Sequence, residues 1–157
     1  MSGLSERVGL TFDELAWLHM ATRLAFAAPH SPTAFRVGCV IVDAGGQLLA
    51  QGHSRQYDPH DHAEEVALAS LAADDPRLPT ATLFTSVEPC AARASRPCPC
   101  AQLILGTTVQ RIVYAWPEPS LFTDGGGARL LAEHGRTVVE VPALAAAART
   151  PNHRLVG

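Results

Sequence analysis

Apolar residues recur along this chain with two distinct periods. Thr11-Phe12-Asp13-Glu14 has the spacing of a capping box, and Leu15, Leu18, Ala21, Leu24 and Ala25 then share one helical face. A Pro-containing loop, residues 30–36, breaks this pattern. Residues 37–42 form a short apolar, β-branched run, and Ala44-Gly45-Gly46 marks a turn. Residues 47–50 are predicted as the returning strand of a hairpin. A polar loop over residues 52–61 leads into a strong helix-forming stretch, residues 62–71. Further strands are expected at residues 82–87, 111–115 and 137–141, and further helices at 101–105 and 130–134, the last closed by Gly135.

Helix, hairpin, then alternating helix and strand predicts right-handed crossovers and parallel neighbours in a sheet covered by helices. The fold class expected is a single three-layer α/β domain with a core over about residues 10–142 and a small-residue tail. At 157 residues the chain is long enough for one such core. No apolar run approaches the roughly 20 residues that cross a bilayer, so no membrane partner is expected. The first ten residues lack signal-peptide character, and a cytoplasmic location with reduced cysteines is the expectation.

The net charge is -3, and all 12 basic residues are scattered arginines, with no lysine anywhere. Nucleic-acid binding normally needs a basic stripe, so no nucleic-acid partner is expected. Without lysine, Schiff-base chemistry is excluded. Four cysteines in a reduced compartment then point to metal ligands, core residues or a nucleophile rather than to disulfides.

Two segments carry chemistry. His62-Ala63-Glu64 opens a predicted helix, and Pro89-Cys90 is followed after nine residues by Cys100, also at a predicted helix start. One imidazole and two thiolates suit Zn²⁺ and leave a fourth position for water, which is the composition of a catalytic rather than a closed structural site. Helix N-termini stabilise thiolates. Glu64, two residues beyond His62, is placed to move protons without ligating the metal.

Cys98 competes with Cys100 for the third ligand position. Loop entropy separates the two by only about 0.2 kcal/mol. Local conformation favours Cys100, because Pro99 suits the first position of a helix and biases Cys98 away from helical angles.

H-x-E followed by P-C and a second cysteine marks the zinc nucleobase deaminases, although here nine residues replace the usual two between the cysteines. The longer loop costs about 1.3 kcal/mol in closure entropy. Zinc binding, on the order of 10 kcal/mol, offsets it easily. At these residues the chain resembles the cytidine and deoxycytidylate deaminase superfamily. Within that superfamily it is similar to the pyrimidine deaminases of riboflavin biosynthesis, especially the fungal ones. Residues 33–42, His62-Ala63-Glu64, and Val87-Glu88-Pro89-Cys90 with its arginine-bearing loop carry the likeness.

The resemblance implies a five-stranded mixed sheet with zinc between two helix N-termini, parallel final strands, and dimers or higher oligomers, with a homodimer expected. It implies a substrate wall that includes Phe35, Ser54, Ala63 and Ser86. His60 is either a loop residue or part of that wall. Trp116 either stacks on a heterocycle or packs in the core, Glu118 either grips an amine or faces water, and Phe122 before the glycine run caps the pocket. Cys39 is expected in the core, and His19, His30, His134 and His153 at the surface.

The function expected is hydrolytic removal of an exocyclic amine from a small aromatic heterocycle, a diaminopyrimidine ribotide first and a free base or nucleoside second. The bifunctional bacterial relatives add a reductase domain and use lysines for the ribose phosphate. Arg55, Arg93 or Arg96 would have to stand in for those lysines. Asp58-Pro59-His60-Asp61-His62 is similar to the approach to the motif in guanine and tRNA-adenosine deaminases. Two further readings remain open, a zinc-stabilised binding module without catalysis and a nucleic-acid editor.

Overall fold

Thr11 opens the first helix as its spacing predicts. The Thr11 hydroxyl accepts from the Glu14 N–H at 3.1 Å, and the Glu14 carboxylate accepts from the Thr11 N–H at 3.2 Å. The computed structural model describes residues 10–92, 98–119 and 126–156. In it α1 spans Phe12–Leu24 and buries Leu18 and Ala21 against the sheet. A turn of 3₁₀ helix, Ala25–Ala27, ends it.

β1 (Gly38–Val42) and β2 (Leu48–His53) form an antiparallel hairpin. β2 runs three residues past the expected end, through Gly52 and His53. The ladder explains this: Gly52 pairs with Cys39 and His53 with Gly38. Gly52 also has a packing reason to be glycine. A Cβ there would lie 2.8 Å from the Val66 Cβ and 2.9 Å from the Ala63 carbonyl oxygen. The strand and the next helix therefore touch backbone to backbone.

That helix, α2, spans Ala63–Ala69 with His62 as its N-cap. β3 (Thr82–Val87), α3 (Cys100–Leu105), β4 (Arg111–Trp116), α4 (Gly127–Glu133) and β5 (Thr137–Glu140) follow. Gly135, at φ +83°, closes α4 in the left-handed conformation expected of it. α4 starts three residues earlier than its apolar pattern indicated, at Gly127.

The sheet order is β2-β1-β3-β4-β5. The crossover through α2 carries the chain past β1, so β3 pairs antiparallel with β1 while β3, β4 and β5 are mutually parallel. The sheet is mixed and five-stranded, with helices on both faces. Alternation along the strands sorts the core. Cys39, Ile41, Leu83 and Ile112 face α2, α3 and α4, whereas Val40, Val42, Phe84 and Val113 share the other face with α1 and the C-terminal helices. Each fully buried aliphatic side chain contributes about 1.5–3 kcal/mol.

The expected small-residue tail is helical. A 3₁₀ turn (Pro142–Leu144), α5 (Ala145–Arg149), a second 3₁₀ turn (Thr150–Asn152) and α6 (His153–Val156) complete the described chain. Alanine favours helix intrinsically, and its small side chain lets α5 lie close on the sheet, with Ala148 fully buried. Buried Asn152 accepts from the Arg36 N–H at 2.6 Å and donates to the Arg36 carbonyl at 3.0 Å, tying this segment to the loop before β1. No helix among the described residues is long and apolar enough to cross a membrane.

Candidate metal centre

β2 leads into α2 and β3 leads into α3, so both helix N-termini open at the carboxyl ends of these strands. Ligands of open α/β sheets collect there. His62, as N-cap of α2, and Cys100, the first residue of α3, meet there with Cys90, three residues past the end of β3. Pro99 is the N-cap of α3 rather than its first residue, and Cys100 takes that first position.

His62 Nδ1 lies 3.2 Å from the Cys100 Sγ and 3.7 Å from the Cys90 Sγ. The Cys100 backbone N–H donates to the Cys90 Sγ at 3.2 Å, and the Ala101 N–H donates to the Cys90 carbonyl at 3.0 Å. All three potential ligand atoms fall within 4.8 Å of one another, the one grouping among the described residues with donors suited to a metal ion. Hydrogen bonds from Cys100 and from the His62 ring pull the Cys90 thiol down to about 4 against the cost of burial. An imidazole nitrogen and two sulfurs, one poised as thiolate, are the donor chemistry that zinc takes. Cys98 lies outside the group, and its thiol faces the Pro99 carbonyl at 3.8 Å.

Glu64 is almost fully buried, yet it shares the floor of a cavity of about 700 Å³ with His62 and Cys90. Its carboxylate raises the proton affinity of Cys39, already pushed well up by complete burial in β1, so that thiol stays neutral and belongs to the core. The cavity therefore combines a donor set for a metal with one desolvated carboxylate beside it.

The walls sort the remaining residues. Phe35, Ser54, His60 and Glu118 line the cavity. Ser54 is also tied to the backbone, accepting from the Val37 N–H at 2.8 Å. Ser86 is fully buried, outside the cavity lining, and accepts from the Gly38 N–H at 3.1 Å. Ala63 packs in the core under α2. Trp116 stands behind Phe35, ring centroids 5.4 Å apart and edge to face, so it backs the wall. His30 is exposed, as expected, and stands on the cavity rim. Phe122, Arg93 and Arg96 lie outside the described residues.

Residues 13–116 match the cytidine and deoxycytidylate deaminase zinc-binding region. The chain belongs to the cytidine and deoxycytidylate deaminase family. It is 33% identical over 126 residues to the diaminohydroxyphosphoribosylamino-pyrimidine deaminase of Schizosaccharomyces pombe, covering 78% of this chain and 31% of that one. Among solved structures it resembles Acinetobacter baumannii RibD, with a TM-score of 0.76, 28% identity, and coverage of 92% of this chain and 39% of that one. The fold is also that of the Aspergillus oryzae Rib2 deaminase solved in complex with DARIPP, at a TM-score of 0.73 and 22% identity, with 92% of this chain and 96% of that one covered. The chain thus spans about a third of the length of the curated relative.

Two elements of this deaminase-family site had no clear signal in the sequence. Glu88, which the sequence marks only as part of the motif, turns its carboxylate back along the cavity wall. One oxygen accepts from the Glu118 N–H and the other from the Ala128 N–H, each at 3.0 Å. It thereby joins the strap after β4 to the first turn of α4. Gly127 lets that helix seat, because a Cβ would sit 1.6 Å from the Pro89 carbonyl oxygen, next to Cys90. Gly127→Ala is expected to lower stability by about 1–3 kcal/mol, the usual cost of overpacking. Urea denaturation of the variant against wild type checks it.

Proposed function

We propose that the chain is a zinc-dependent hydrolytic deaminase that replaces an exocyclic amine of a small aromatic heterocycle with oxygen. The observation that carries this is the buried Glu64 on the same cavity floor as His62 and Cys90, with Cys100 completing the donor set. His62, Cys90 and Cys100 would hold the zinc, which when bound supplies Lewis acidity to a water. Glu64 accepts one proton from water and delivers it to the ring nitrogen beside the amine-bearing carbon, then carries the second, from the newly added hydroxyl, to the amine, which departs as ammonia. Burial keeps the Glu64 carboxylate away from bulk solvent. Phe35, backed by Trp116, offers an apolar face to a flat ring, while Glu118 and His60 supply polar wall.

The preferred substrate is a diaminopyrimidine ribotide. The similarity to riboflavin-pathway deaminases supports it, and a cavity of about 700 Å³ leaves room for more than a bare base. A free base or nucleoside is the second reading, favoured by the absence of lysine and by the engagement of Arg55 with backbone carbonyls. A homodimer is part of the proposal, and sedimentation equilibrium tests it separately.

Ammonia release is measured across the ribotide, its riboside, and free bases including cytosine, guanine and triazines. Turnover of the ribotide above all others supports the first reading, and turnover of a free base above the ribotide supports the second. One zinc per chain with no ammonia from any compound defeats the enzyme reading and leaves a zinc-stabilised binding module. Turnover of tRNA or single-stranded DNA in preference to the small molecules would favour an editor instead, against what the acidic net charge predicts.

A further inference from the structure

Arg55 is the one non-glycine residue among those described with positive φ, at 55°. An arginine in the left-handed region carries backbone strain that glycine would not. Its side chain is placed at further cost. It is half-buried on the cavity wall, and its buried Nε N–H finds no partner among the described residues. A surface turn selected for stability alone would hold glycine or asparagine here.

What the arginine does with its remaining donors gives the reason. One Nη donates to the Phe35 carbonyl at 3.2 Å and the other to the Pro29 carbonyl, reaching 20 and 26 residues back along the chain. These carbonyls lie at the two ends of a loop that lines the same cavity as His62 and Cys90. The backbone N–H of Arg55 donates to the Asp61 carbonyl at 2.8 Å, on the residue immediately before His62. One residue therefore couples the substrate wall to the turn that delivers a metal ligand.

We propose that Arg55 is a positioning residue that braces the 29–35 wall against the 55–62 turn and so holds that wall in place for substrate binding. The brace is a property of the fold, while its effect on turnover rests on the deaminase reading above. A phosphate-binding role, which its charge alone would suggest, uses neither the strain nor the two-ended grip.

The test is Arg55→Gly, which relieves the strain and removes the guanidinium grip on the 29–35 wall while keeping the backbone N–H to Asp61. Amide hydrogen exchange across residues 30–36 is expected to rise at least tenfold, with zinc at one per chain and an unfolding midpoint equal to or above wild type. With the best substrate of the panel, KM is expected to rise about tenfold while kcat stays within threefold. A residue that only forms a turn would become more stable on glycine substitution with exchange and KM unchanged, and that result overturns the proposal. If Arg55→Gly does not fold, Arg55→Met, which keeps the stem and loses every side-chain donor, carries the same comparison of exchange and KM. If no heterocycle is turned over, the deaminase reading falls and the exchange measurement alone decides the brace.

Discussion

Glu64→Ala is expected to lower ammonia release by about 10²–10⁴-fold, the range contributed by a positioned general acid–base. Zinc content should stay at one per chain, because Glu64 is not one of the three grouped donors. The size of the effect follows from position. Glu64 is nearly fully buried on the cavity floor, so no solvent-borne base easily replaces it. Glu64→Gln keeps the shape and loses the proton chemistry, and it should be as inactive as the alanine variant. Single-turnover ammonia assays with metal analysis of the same samples check both. Retention of more than a tenth of wild-type turnover in Glu64→Gln would remove the residue from its assigned role.

Cys100→Ser is expected to abolish stoichiometric zinc and to lower the unfolding temperature sharply, whereas Cys98→Ser should do neither. Zinc bound to the folded chain alone stabilises it, by up to about 10 kcal/mol, and losing one of three ligands forfeits much of that. Cys100 is fully buried at the first position of α3, with its sulfur against His62 Nδ1. Cys98 is only partly buried and points to a carbonyl. Metal analysis after dialysis, paired with thermal unfolding with and without added zinc, separates the two cysteines. Zinc loss in Cys98→Ser with retention in Cys100→Ser would reverse the assignment.

Much of the fold was legible from local pattern. The capping box at Thr11, the apolar strands 82–87 and 111–115, and the glycine that closes α4 each rest on interactions within a few residues of sequence, so periodicity and turn chemistry exposed them. The candidate donors were legible because soft side chains at helix starts are rare and chemically distinctive. The favoured choice of Cys100 over Cys98 rested on a proline one residue away, although that proline caps the helix rather than beginning it.

Other features could not be reached that way. β2 extended through Gly52 because β1 offered ladder partners, and Asn152, beyond the alanine-rich helix, ties the tail to Arg36, 116 residues away in sequence. By residue type Trp116 suits stacking on a ligand and filling the core equally well; packing decides, because it is buried in one core cluster with Phe35, edge to face with that ring. Glu88 and Gly127 acquire their roles only where α4 seats on the loop before Cys90.

Residue type and short spacing were enough to define the chemistry that can be assembled: one imidazole, two thiols and one carboxylate at two helix starts, with no lysine to compete. Which of these groups share the cavity, which residues merely hold its walls, and how far apart the walls stand were set by the packed fold. Contacts such as Arg55 to Pro29, 26 residues apart, depend on how strands and helices pack, and no local pattern encodes that.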